Sequence, residues 1–318
     1  MDGGLLVGDG PTRRLPLEEA ATYTGPGFLW LHLHGRDEHD LSFLKSRPDI
    51  PDIAASALVA TETRPRCDRI EEGAIINLRG PGDLDPQDSD RLVSIRMWVR
   101  RNRVTSLSRR TLSATADVCR MFEAGKVLDP GDLVAAFARH ISRELDPQVA
   151  ALGDKLDQCE SELESANIYR LRTTIAQIRS DAISFRRFVA PDRDALATLA
   201  GMEDVDWIDE QDRLHIHEAA DRFARMAEEL EAVRERAALL HEQLTDLRSE
   251  QIDQRALLIS IVAFIFLPLT FITGLLGMNV EGIPYAGRPW AFWGVVGFCF
   301  LVGAVVLGWF MFRHWLRR

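Results

Sequence analysis

Asp246, Glu250, Asp253, Ala256, Ser260, Ala263, Leu267, Thr270 and Gly274 recur at a period close to 3.5 residues. On a helix such positions share one face. This face starts acidic and becomes small or hydroxylated, with Leu267 as its bulky exception. Carboxylates at its start, Asp246, Glu250 and Asp253, can draw cations toward it. The small and hydroxyl-bearing residues that follow suit either close contact with a neighbouring helix or the wall of a water-filled path. The pattern alone leaves both open.

Other chemistry-bearing residues carry less. His32 and His34, and again His215 and His217, are two apart. That spacing puts both rings on one side of a strand but lets them diverge on a helix, so only the first pair has metal-ligand geometry within reach. Cys67, Cys119, Cys159 and Cys299 are widely spaced and form no CxxC, which gives neither a disulfide framework nor a clustered zinc site. No HExxH, glycine-rich phosphate loop or GxSxG elbow occurs, and with them go the commonest enzyme sites. No cofactor and no enzyme activity are expected.

The net charge of −10 also has a position. Residues 201–253 hold 16 acidic and 6 basic side chains, a balance equal to that of the whole chain. Nucleic acid asks for a basic surface, so it is not an expected partner.

The element that carries the polar face is predicted as one long helix. No proline occurs between Glu210 and Pro268, and no glycine before Gly274. Ala219, Phe223, Met226, Leu230, Val233, Ala237, Leu240, Leu244 and Leu247 form a heptad seam on a second face, the signature of a coiled coil. That seam offers a means of bringing several chains together. Residues 209–276 as one helix would measure ~100 Å at ~1.5 Å per residue, a stalk rather than part of one compact domain. From Arg255 the next twenty or so residues are apolar and uncharged, enough for a bilayer's ~30 Å hydrocarbon core. A first transmembrane helix is therefore expected at about 256–276, with Pro268 inside it.

A second apolar run, 290–312, follows a short link at 277–289 and precedes the basic tail 313–318. Two spans put both termini on one side, and Arg255 with the arginine-rich tail make that side cytoplasmic by the positive-inside rule. The N-terminus lacks a signal-peptide pattern, so the part before the spans is expected not to be exported. Two helices cannot enclose an aqueous path; a pore would need several chains around it.

Upstream, 1–110 read as a cytoplasmic α/β module. Strands are predicted at 27–34, 73–79, 92–99 and 104–107, a turn at 100–103 and short helices at 17–22 and 53–60. Residues 111–208 read as helical: 112–124, then a helix capped by Asp129-Pro-Gly-Asp132, with a boundary or kink at Asp146-Pro147 and a second stripe ended by Ala190-Pro191-Asp192. The fold class is thus an α+β cytoplasmic domain, a long helical stalk and two C-terminal transmembrane helices.

Gly277-Met278-Asn279 at the end of the first span, with Phe-Leu-Pro-Leu-Thr-Phe-Ile-Thr-Gly at 266–274 before it and a second span after it, resembles the CorA superfamily of divalent-cation transporters. The continuation Asn279-Val-Glu-Gly-Ile-Pro284, with Trp30-Leu-His-Leu33 and Glu62-Thr-Arg-Pro-Arg66, is more similar to its zinc-type ZntB branch than to magnesium-type members. The resemblance implies a CorA-like homopentameric funnel in the inner (cell) membrane, with the first span lining a central pore. It makes Asn279 a polar ring at the outer mouth and Gly277 and Met278 the shape of that turn. Asp253, Ala256, Ser260, Ala263, Leu267, Thr270 and Gly274 would line the conduit. An amide ring suits a hydrated ion, whose first-shell waters carbonyl oxygens can hold. The implied cargo is Zn2+, with Mg2+, Co2+, Ni2+ and Cd2+ as alternatives. Dehydrated zinc prefers nitrogen and sulfur, which this face lacks, so the ion would pass hydrated. Proton coupling and direction stay open. The competing expectations are a CorA-type Mg2+/Co2+ channel and a membrane-anchored coiled-coil scaffold.

Overall fold

The computed structural model describes residues 3–8, 11–35, 38–61, 64–83, 92–163, 168–203, 205–278, 283, 285 and 287–315. They form two compact units, 1–241 and 242–318.

The first unit is built on a sheet of seven strands: β1 (Gly3–Val7), β2 (Arg13–Leu15), β3 (Phe28–Leu33), β4 (Arg66–Ile70), β5 (Gly73–Pro81), β6 (Leu92–Arg100) and β7 (Arg103–Leu107). Their order is β2-β1-β3-β7-β6-β5-β4. The β3–β7 pair is parallel and the other pairs antiparallel. Asn102 takes a left-handed φ of 62° in the tight β6–β7 turn, which asparagine tolerates better than most side chains.

Both faces of the central strands are covered, which their apolar sequences require. On β3, Leu29 and Leu31 pack with Ala20 of α1 (Leu17–Thr22). Trp30 points to the other face, 5.9 Å from the Phe122 ring and 5.6 Å from that of Phe137. Those two come from α4 (Ser113–Glu123) and α5 (Pro130–Ser161). A further cluster joins Leu33, Ile75, Trp98 and Leu107 to α2 (Glu38–Lys45) and α3 (Asp52–Val59).

The boundary alternative at Pro147 and the expected end at Pro191 need correction. Pro147 lies inside α5, and Pro191 lies inside α6 (Ile168–Ala200), so neither ends its helix. A proline removes one ladder hydrogen bond. Here the buried stripes run on across it: Leu145, Val149 and Leu152 on α5, and Phe188, Val189, Ala195, Leu196 and Leu199 on α6. Tertiary burial outweighs the local loss.

α7 runs Glu210–Leu276 and α8 runs Pro289–Trp315. The heptad seam of α7 is buried within the single chain, with Phe223, Leu230 and Ala237 fully so and Ala219, Met226, Val233, Leu240 and Leu244 nearly so. Its flanks are tied to the α5–α6 hairpin. Arg236 pairs with Asp157 at 2.6 Å and Glu160 at 2.7 Å, Arg186 with Glu231 at 2.9 Å, and Arg172 donates to His241 at 3.2 Å. The expected role of the seam in joining chains is therefore corrected: down to Leu244 its apolar face is already hidden within one chain.

Candidate functional site

His32 is fully buried, with Nδ1 2.8 Å from Ser106 Oγ and Nε2 3.3 Å from Ser108 Oγ. Burial, and then the neighbouring His34, push its pKa down to about 3. It is a neutral core residue with both ring nitrogens engaged, and the His32–His34 spacing reflects packing.

The polar face lies on the second unit's share of α7. Two helices among the described residues are long and apolar enough to cross a membrane, α7 through its C-terminal part and α8. In the span of α7, Ile261, Ile265, Leu269, Ile272 and Leu276 are half-buried, whereas Asp253, Ala256, Ser260, Ala263, Leu267, Thr270 and Gly274 are exposed. α8 is the other described helix of that unit and has its own half-buried stripe, Ala291, Val295, Cys299, Val302 and Val306. At ~100° per residue, the small and hydroxylated positions centre about 170° away from the stripe on α7. They lie on the side of α7 opposite that stripe.

Local geometry along this face is helical to its end. Ser260 Oγ donates to the Ala256 carbonyl at 2.8 Å, and Thr273 Oγ1 to that of Leu269 at 2.9 Å. Pro268 has no N–H to give the Phe264 carbonyl, which is thereby freed within the span. Leu267 is 71 % exposed and the largest side chain on the face. Gly277 closes the helix by donating to Thr273 at 2.9 Å, and Met278 is exposed beyond it. Asn279, Val280 to Gly282 and Pro284 lie outside the described residues, as do Glu62 and Thr63 and the last three residues of the tail. Asp246 and Glu250 are exposed on α7, about two turns and one turn before Asp253.

A carboxylate cluster not foreseen from sequence sits in the first unit. Oxygens of Asp129, Asp132 and Asp212 lie within 4.8 Å of one another. Their contacts are those of helix caps. Asp129 accepts from the Asp132 N–H at 2.8 Å and Asp132 from that of Leu128 at 2.9 Å. Asp209 and Asp212 cap α7 reciprocally at 2.7 and 3.0 Å. Burial, then the charges of Asp129, Asp209 and Asp132, raise the Asp212 carboxyl to about 7 against the one lowering contact from Asp209. The two Asp-x-x-Asp boxes are visible in the sequence; their meeting is not.

The family model that describes a CorA-like Mg2+ transporter protein matches residues 25–318. The divalent cation transporter CmaX of Pseudomonas aeruginosa is 33% identical over 330 residues, covering 99% of this chain and 96% of its own. The zinc transport protein ZntB of Pectobacterium atrosepticum is 30% identical over 311 residues, with 98% and 93% covered. Among solved structures, full-length CmaX matches with a TM-score of 0.79 at 30% identity over 96% of this chain and 97% of its own. The CorA magnesium transporter of Methanocaldococcus jannaschii gives 0.79 at 17% identity, with 98% of each chain covered, a likeness of fold.

Proposed function

The chain belongs to the CorA family of membrane transporters, and from that premise we propose that it carries divalent cations, Zn2+ first among them, through a central pore formed by five copies. Transport of divalent cations is the activity that family membership supports, over a scaffold or an enzyme. What supports the conduit is the make-up of α7: its small and hydroxylated positions share one face of the helix and are exposed in the single chain. In a bilayer such positions are turned to other helices or to water rather than to lipid.

In this reading the ion enters or leaves at the turn formed by Gly277, Met278 and Asn279, where the Asn279 amide holds waters of its first shell. It passes Gly274 and Thr270, meets a dewettable constriction at Leu267 and continues past Ala263, Ser260 and Ala256 to Asp253. Asp246 and Glu250 raise the local cation concentration at that end. Without a histidine or cysteine on the face, the ion passes hydrated and selectivity among divalent metals is weak. Both termini lie on the cytoplasmic side.

The match to a magnesium-transporter family model favours Mg2+ as the second reading. Fluxes of Zn2+ and Mg2+ into liposomes holding the purified protein, at matched gradients with and without a pH gradient, decide between them. Zinc flux should exceed magnesium flux; the reverse order would overturn the zinc assignment. Dependence on the pH gradient would add proton coupling.

A further inference from the structure

Beyond Leu244 the long helix α7 stands bare. Every residue from Thr245 to Ser260 is exposed, so among the described residues nothing covers this neck. Its charges are sorted by side. At ~100° per residue, Arg248 and Arg255 fall within about 20° of one another, and Asp246, Glu250 and Asp253 centre about 180° away from them. Both sides continue into the span as large apolar residues that are exposed in the single chain. Ile259, Val262 and Phe266 follow the arginines, and Leu257, Phe264 and Phe271 follow the carboxylates. Along the helix these charges do not help one another. An opposite charge three or four residues away stabilises a helix, and a like charge there destabilises it. Neither arginine has a carboxylate at that spacing, whereas Asp246, Glu250 and Asp253 stand four and three apart. Each side therefore asks for its counter-charge from outside its own helix.

A second copy of the chain supplies both. In parallel copies at one level, Arg248 lies ~3 Å along the axis from Asp246 and from Glu250, and Arg255 ~3 Å from Asp253, at ~1.5 Å per residue. The two complementary sides are different surfaces, so the contact is head-to-tail. A contact of that kind closes into a ring, whereas a two-fold dimer needs one surface that matches itself. The small and hydroxylated positions of the span, Ala256 to Gly274, centre about 90° from either side, which leaves them free to face the axis of that ring. They stand that far round from the carboxylates because a row repeating every 3.5 residues slips ~20° per heptad on a straight helix.

We propose that copies of the chain join at this neck, with the arginine side of one, Arg248 and Arg255, against the carboxylate side of the next, Asp246, Glu250 and Asp253. This contact rests on the five-copy reading and gives it a surface. The test links the two sides covalently. Arg248→Cys and Glu250→Cys are placed together in the full-length chain, and the protein in maltoside detergent is treated with a mild thiol oxidant. The two sulfurs lie on opposite sides of one helix and cannot pair within a chain, so a ladder of linked chains up to five is expected. Either substitution alone should give no ladder. A second arm reads the charges. At low salt, Arg255→Glu should raise the protein concentration at which the assembly falls apart by about fivefold or more, one surface ion pair being lost at each contact of the ring. Asp253→Arg in the same chain should restore most of that loss. Should Arg255→Glu fail to fold, the ladder decides. A protein that assembles, yet gives no ladder beyond the single variants, overturns the contact and leaves the five-copy reading standing. A protein that is monomeric at every concentration overturns both.

Discussion

Asp212 shows how a residue can be ordinary in sequence and unusual in place. It is 2% exposed, and the oxygens of Asp129 and Asp132 lie within 4.8 Å of its own. A carboxyl near 7 in the folded chain, against 3.8 when free, means that folding takes up a proton between those values. The stability tied to that proton is fully present below about pH 4 and is lost as pH rises through about 7. Asp212→Asn keeps an acceptor for the Asp209 N–H and removes the charge. It should raise the melting temperature at pH 8, with the advantage shrinking as pH falls toward 4; a pH-independent difference would exclude the coupling. Gly131 belongs to the same place. A methyl group there would run into the Asp212 carboxylate and come within 3.0 Å of the Trp207 carbonyl. Gly131→Ala should cost about 1–3 kcal/mol in chemical denaturation, as overpacking does. Neither effect was legible beforehand, because the Asp-x-x-Asp pattern announces a helix start but not that two such starts meet.

At the scale of elements, periodicity told which face of α7 is apolar but not what covers it. The heptad seam fits a chain-to-chain zipper and an intrachain helix bundle equally, and burial of Phe223 and Leu230 identifies the second. Leu230→Ala should therefore lower the stability of the first unit by about 2–5 kcal/mol, the cost of a buried leucine cavity. Measured by thermal unfolding in detergent, that loss should leave metal flux per folded protein unchanged. The apolar strands β3, β5, β6 and β7 were legible because both of their faces are buried. β1, β2 and β4 were not. β1 is buried but holds only five residues, two of them glycine, too short a run to stand out. β2 and β4 are the two edges of the sheet, short and largely polar, with Arg13 and Arg14 in one and Arg66, Asp68 and Arg69 in the other. Charge on an edge blunts pairing with other chains, and it also erases the alternation by which a strand is recognised. Pro191, and Pro147 read as a boundary, misled for the opposite reason, since a local breaker was overruled by packing on both sides of it.

For the whole molecule, the two apolar runs and the Gly-Met-Asn motif were the clearest signals in the sequence, and they led to the family that the relatives confirm. The arrangement of copies was not legible, because the surfaces that would join them are exposed in a single chain. Five copies should be found by mass measurement of the detergent-solubilised protein, and a monomer would rule out a shared pore. The central claim is that the ion passes the polar end of the first span. It is tested most directly by zinc flux into liposomes holding equal amounts of wild-type and Asn279→Ala protein, with assembly checked in both. Loss or marked change of flux in a fully assembled variant is the predicted result; an assembled variant that carries zinc as the wild type does would contradict it.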